Sequence, residues 1–179
     1  MRRIVHKVFF VWDFDKEEQW LNEMAAKGLC LVGVGFCRYE FEDCEPGEYN
    51  ICMQLLEKSV KDPESQKYIE FLESTGAEHI GTFTRWVYFR KKAELGPFEL
   101  FSDNANRLKH LKSIISLIGV VSTMNLLIGL QNLLMVFTIQ SYVNLFGLIN
   151  LALGIWGLWG TFRLIKKRDR LKKEELLFE

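Results

Sequence analysis

From Ser113 to Phe162 the chain runs for fifty residues without a Lys, Arg, Asp or Glu. All of its 23 basic and 23 acidic residues lie outside that block. A water-soluble helix keeps a charged face, so this block cannot belong to an ordinary soluble domain. A membrane span needs ~20 apolar residues to cross ~30 Å of hydrocarbon. The block therefore reads as two spans, 113–137 and 142–165. Thr138-Ile139-Gln140-Ser141 supplies the polar groups of a tight turn between them.

Charge placement sets the expected orientation. Lys109 and Lys112 precede the first span, and Arg163, Lys166, Lys167, Arg168, Arg170, Lys172 and Lys173 follow the second. The connecting turn carries no charge. Lys and Arg resist translocation, which predicts a multi-pass protein of the cell (inner) membrane with both termini cytoplasmic. The five-residue apolar run Val8–Trp12 is too short for a signal-peptide core, in agreement with that orientation. Tyr142, Trp156, Trp159 and Phe162 suit the membrane interfaces, and the basic tail suits anionic headgroups. On a helical projection of ~100° per residue, Ser122, Asn125, Gly129 and Asn132 form one stripe, with Gly119 at its border. Gly147, Asn150, Gly154, Gly157 and Thr161 form another. Small residues let backbones approach, so the two stripes are expected to face each other.

Residues 1–112 carry 16 basic and 19 acidic residues. That balance argues against a nucleic-acid partner. Ile4–Trp12 is β-branched and aromatic, as a buried strand is. Asp15 and Glu18 have capping-box spacing, Trp20, Leu21, Met24 and Ala25 form an apolar stripe, and Gly28 stops the helix. Lys16, Glu17, Asn22 and Glu23 are assigned to its wet side. Leu29–Phe41 reads as a second strand and Tyr49–Leu56 as a third. Pro46-Gly47 suits the centre of a type II turn. Asp62-Pro63 starts a second helix that Gly76 ends, and His79–Arg90 reads as a fourth strand. The order β-α-β-β-α-β predicts an α+β, ferredoxin-like cytoplasmic domain over 1–105, with both helices on one face of an antiparallel sheet. Residues 106–179 form the transmembrane hairpin and tail.

No catalytic, cofactor or metal motif accompanies this frame. Cys30, Cys37, Cys44 and Cys52 lack the short-spaced pairs of zinc sites and are expected as free, packed thiols. Gly33-Val34-Gly35 is followed by no helix, so it is not a dinucleotide loop. The acidic start of the first helix is explained by the helix dipole. Phe10, Trp12, Phe36, Trp86 and Tyr88 make the sheet face too apolar to stay bare, and they form the candidate interaction face for a partner chain, a ligand or a later segment.

The run Trp12-Asp13-Phe14-Asp15-Lys16-Glu17-Glu18-Gln19-Trp20-Leu21-Asn22-Glu23-Met24-Ala25-Ala26-Lys27-Gly28 resembles the bacterial family called domain of unknown function 2812. So do Cys44-Glu45-Pro46-Gly47-Glu48-Tyr49, Tyr68-Ile69-Glu70-Phe71-Leu72 and Trp86-Val87-Tyr88-Phe89-Arg90. The resemblance covers roughly residues 5–105. It implies a cytoplasmic domain, often followed by membrane helices, in Gram-positive bacteria, frequently beside PadR-type transcription regulators. It implies no catalytic residues. The expected function is a membrane-anchored regulatory or sensing module, with membrane lipid and a protein partner or second copy as its contacts. The alternative is an accessory subunit of a transporter or other membrane complex.

Overall fold

The computed structural model describes residues 2–98, 100, 104–139 and 146–178. The chain divides into two compact units, Met1–Ser102 and Asp103–Glu179.

The first unit contains β1 (Arg3–His6), α1 (Phe14–Ala26), β2 (Leu29–Gly35), β3 (Arg38–Asp43), β4 (Tyr49–Leu55), α2 (Pro63–Ser74), β5 (Ala77–Phe83) and β6 (Trp86–Lys92). These are two copies of one β-α-β-β motif. Each copy makes a three-stranded antiparallel sheet with its last strand central, β1-β3-β2 and β4-β6-β5. Equivalent glycines do equivalent work. Gly28 and Gly76 end the helices at φ 80° and 88°, and Gly33 and Gly81 sit where β2 and β5 slip register. The expected turn around Pro46-Gly47 is present, with Gly47 at φ 76° and Glu48 N–H donating to Glu45 O at 3.0 Å. Asp62 caps α2 through Glu64 N–H at 2.9 Å.

The ferredoxin-like single sheet of four strands is thus replaced by two sheets of three. Leu29–Phe41 and His79–Arg90, each read as one strand, are both hairpins. Their turns fall at Phe36-Cys37 and Thr84-Arg85, with Cys37 at φ 51° and Thr84 at φ 56°. Residues other than glycine rarely adopt these angles, so the turns carry no glycine or proline signal. The first strand is short as well. It ends at His6, and a 3₁₀ turn over Val11–Asp13 leads into α1.

The capping box assigned to Asp15 and Glu18 is not formed. Asp13 occupies the cap position without a side-chain cap bond, and Glu18 Oε2 accepts from Met53 N–H at 2.9 Å. One turn on, Asn22 bonds both backbone groups of Ile51. The helix thereby covers the outer edge of β4 with side chains where another strand would otherwise pair. The two sheets meet at β2 and β5. A Cβ on Gly81 would lie 3.2 Å from Val34 Cγ2, the Phe36 and Phe83 rings are 5.8 Å apart, and Arg90 Nη1 donates to Leu31 O at 3.2 Å. Behind them Leu56, Ile69, Leu72, Ala77, Val87 and Phe89 close the core under α2. Cys30 and Cys44, expected as free thiols, are disulfide-bonded with Cα atoms 5.9 Å apart, while Cys37 and Cys52 are not in a disulfide. The β2–β3 register brings the pair together, which spacing in the sequence cannot reveal.

The second unit is a pair of long helices, α3 (Asn104–Ile139) and α4 (Gly147–Phe178). Both are long and apolar enough to cross a membrane, over Asn106–Met135 and Gly147–Lys173. In the connecting segment, Gln140, Ser141 and Tyr142 lie outside the described residues.

The small residues meet across α3 and α4. A Cβ on Gly129 would fall 2.7 Å from Leu151 Cγ and 2.9 Å from Gly147 O. One on Gly154 would fall 2.6 Å from Leu126 Cγ, and one on Gly157 3.1 Å from Ser122 Cβ. Asn125 does not bond across the pair. Its Nδ2 donates to Val121 O of its own helix at 2.8 Å. Asn150 is half-buried.

Candidate functional site

The site of interest lies where the two β-α-β-β copies of the first unit meet. Lys7, Phe9, Phe10 and Val11 come from the segment after β1, Phe14 and Glu17 from α1, and Gly35, Phe36, Cys37 and Tyr39 from the first hairpin. Phe83, Trp86 and Tyr88 come from the second hairpin. Together they line a cavity of about 90 Å³.

Its buried acidic group is Glu17, only 8% exposed. The residue lies one turn ahead of Leu21 and so on the apolar stripe of α1, not on the wet side assigned to it. Nor is it a solvated charge serving the helix dipole. Tyr39 Oη donates to Glu17 Oε1 at 2.8 Å, and Tyr88 Oη donates to the same oxygen at 2.7 Å. Tyr39 stands on β3 and Tyr88 on β6, the central strands of the two sheets. One carboxylate oxygen therefore ties both halves of the domain to α1.

Burial pushes the Glu17 carboxyl above the usual carboxylate range, and the two phenol donors only partly oppose that shift. Burial, reinforced by the charge of Glu17, pushes both tyrosines above the usual phenol range. Both hydroxyls are thus fixed as donors. None of the described basic residues forms an ion pair with Glu17. Lys7, at the rim, places Nζ 4.9 Å from the centre of the Phe9 ring and 4.4 Å from that of Trp20.

Four of the five aromatic residues singled out from the sequence border this cavity: Phe10, Phe36, Trp86 and Tyr88. They do not share an open sheet face. Trp86 and Tyr88 are buried, and Phe36 is 79% exposed in the hairpin turn. Trp12 is not a lining residue; its ring stacks on Phe10 at 5.3 Å. Glu17, Tyr39, Phe9, Phe14 and Phe83 went unassigned to any site. The available signal was Glu17 itself, a carboxylate in the i−4 position of a buried leucine.

Elsewhere, Cys30, Cys44 and Glu48 bring ligand-type atoms within 4.8 Å of one another, but the two sulfurs are bonded to each other. Nor do the histidines gather. His6 is exposed, His79 Nε2 bonds Thr82 Oγ1 at 3.0 Å, and His110 is buried in the second unit.

These features define a class: an α+β domain built from a repeated β-α-β-β motif, with an acid-bearing aromatic cavity, in a chain that continues into two membrane-length helices. The family described as protein of unknown function (DUF2812) matches residues 13–123. The chain belongs to that family. The match takes in α1 with Glu17, both hairpins and the first half of α3. No curated protein and no solved structure matches the chain.

Proposed function

We propose that the chain is a membrane-anchored cytoplasmic sensing module. Its aromatic cavity receives a small ligand, and occupancy alters how the domain engages a protein partner. The observation that carries this reading is the position of Glu17. A ligand touching it acts on the hydrogen bonds that join β3 and β6 through α1, so binding and the packing of the two halves are linked.

The α3–α4 pair is the anchor in membrane lipid, with both termini cytoplasmic, since basic residues flank both outer ends of an uncharged pair of spans. A reducing compartment would open the Cys30–Cys44 bond of the structure to two neighbouring thiols. The acidic balance of the domain suits a protein partner or a second copy and not a nucleic acid.

The test is affinity purification of the full chain in mild detergent, followed by mass spectrometry of proteins and small molecules. A copurifying small molecule or soluble regulator is the expected result. A stoichiometric integral membrane protein, with no bound small molecule, would replace this reading with that of an accessory subunit.

A further inference from the structure

The sensing reading leaves the ligand open, and the cavity narrows it. Both tyrosine donors converge on Glu17 Oε1, and Oε2 accepts no hydrogen bond from the described residues. Among the described residues no buried side-chain oxygen lacks a partner, so Oε2 keeps surface open, and Glu17 lines the cavity. The surrounding walls are aromatic rings, whose faces carry negative charge density and attract cations. Lys7 already shows the rings at the rim accepting an ammonium group, but it makes no ion pair with Glu17.

An anion here would meet a carboxylate and ring faces of the same sign. A neutral guest would leave Oε2 uncompensated. Calcium or magnesium needs about six or more oxygen ligands, or several waters, which ring walls do not provide. The volume of about 90 Å³ exceeds the ~10–15 Å³ that one water needs but falls short of the ~150 Å³ of a cavity that takes benzene, so the guest it fits is a compact head group.

We infer that the cavity takes a small organic monocation of the quaternary ammonium class. Its apolar body rests on Phe10, Phe14, Phe36 and Trp86, and its charge sits beside Glu17 Oε2. This rests on the ligand-sensing reading and adds the sign and class of the ligand.

The experiment is isothermal titration of the full chain in nonionic detergent, with micelle blanks subtracted. The probes are choline and its uncharged, water-soluble isostere 3,3-dimethyl-1-butanol, in which carbon replaces the charged nitrogen. The cation is expected to bind at least tenfold tighter than the isostere. Glu17→Gln keeps the size and the Oε1 acceptor but removes the charge. It is expected to abolish that preference and leave the isostere unchanged. The comparison of the two probes on the unsubstituted chain stands even if the variant fails to fold. Equal binding of both probes would overturn the cation assignment while leaving the ligand cavity intact. Binding of neither would remove the cavity as a ligand site and the sensing reading with it.

Discussion

The Asn22 side chain occupies both backbone hydrogen-bonding positions of Ile51: Nδ2 donates to Ile51 O at 2.7 Å, and Oδ1 accepts from Ile51 N–H at 2.9 Å. An amide side chain has the same donor and acceptor pair as a peptide group, so Asn22 completes the edge of β4 as a neighbouring strand would. Losing it leaves two backbone groups short of partners, each worth ~1–3 kcal/mol where water cannot replace it. Ile51 is buried, but the contact is only partly so. Asn22→Ala is therefore expected to lower stability by about 1–3 kcal/mol. Urea unfolding of the full chain in detergent measures this. A midpoint shift equivalent to less than half a kilocalorie would mean the edge needs no cover.

Glu17 makes stability depend on pH with a definite sign. Its carboxyl is raised in the folded state, chiefly by burial, from the ordinary value of 4.5. Below that value the group is neutral folded or unfolded, and its contribution to stability is fully present. As pH rises from that value towards the raised one, the folded state holds a proton that the unfolded state has lost. Stability from this group then falls. Glu17→Gln removes the effect. The difference in melting temperature, variant minus parent, should be flat below pH 4.5 and rise above it. A difference that stays level, or declines with pH, would show that the phenol donors outweigh burial.

How much of this was legible in the sequence follows from which signals are local. Gly28, Pro46-Gly47 and Asp62-Pro63 work through their own backbone or the next turn, and each stands where the pattern put it. The hairpin turns at Phe36-Cys37 and Thr84-Arg85 were not legible. They use left-handed conformations in residues that avoid them, and surrounding strand pairing enforces the angles. Missing two turns merged four strands into two and hid the repeated motif. Glu17 was hidden differently. Near a helix start an acidic residue has an adequate solvated explanation, and only the arrival of Tyr39 and Tyr88 from distant strands shows it to be internal. Likewise Glu18 fits a capping box by spacing but bonds Met53 N–H, a partner 35 positions away.

The contact between α3 and α4 predicts which substitutions separate them. A side chain at Gly129 would meet Leu151 N at 2.8 Å, and backbone cannot yield as a flexible side chain does. At Gly119 an added Cβ has room, 3.9 Å from Thr161 Cγ2, so Gly119→Cys with Thr161→Cys is expected to crosslink within one chain. Leu127→Cys with Leu153→Cys, on exposed faces, is expected not to. Denaturing gels after mild oxidation distinguish monomer from dimer bands. Predominant crosslinking between chains would make the small-residue surface an assembly contact instead.

The cysteines test the side of the membrane on which the first unit lies. Cys30 and Cys44 are placed to bond, and the loop between them spans 14 positions. Closing a loop of that length stabilises by about 3 kcal/mol in the chain-entropy account. The bond persists only in an oxidising compartment. If the domain is cytoplasmic, cells quenched in acid and alkylated at once should yield protein with all four cysteines modified. The same protein, purified and oxidised in air, should retain only Cys37 and Cys52 as alkylatable thiols and should melt at a higher temperature. Reduction should reverse the gain. A Cys30–Cys44 bond already present in quenched cells would place the domain on the outer side. Lys109, Lys112 and the basic tail would then lie on the side that the distribution of charge disfavours.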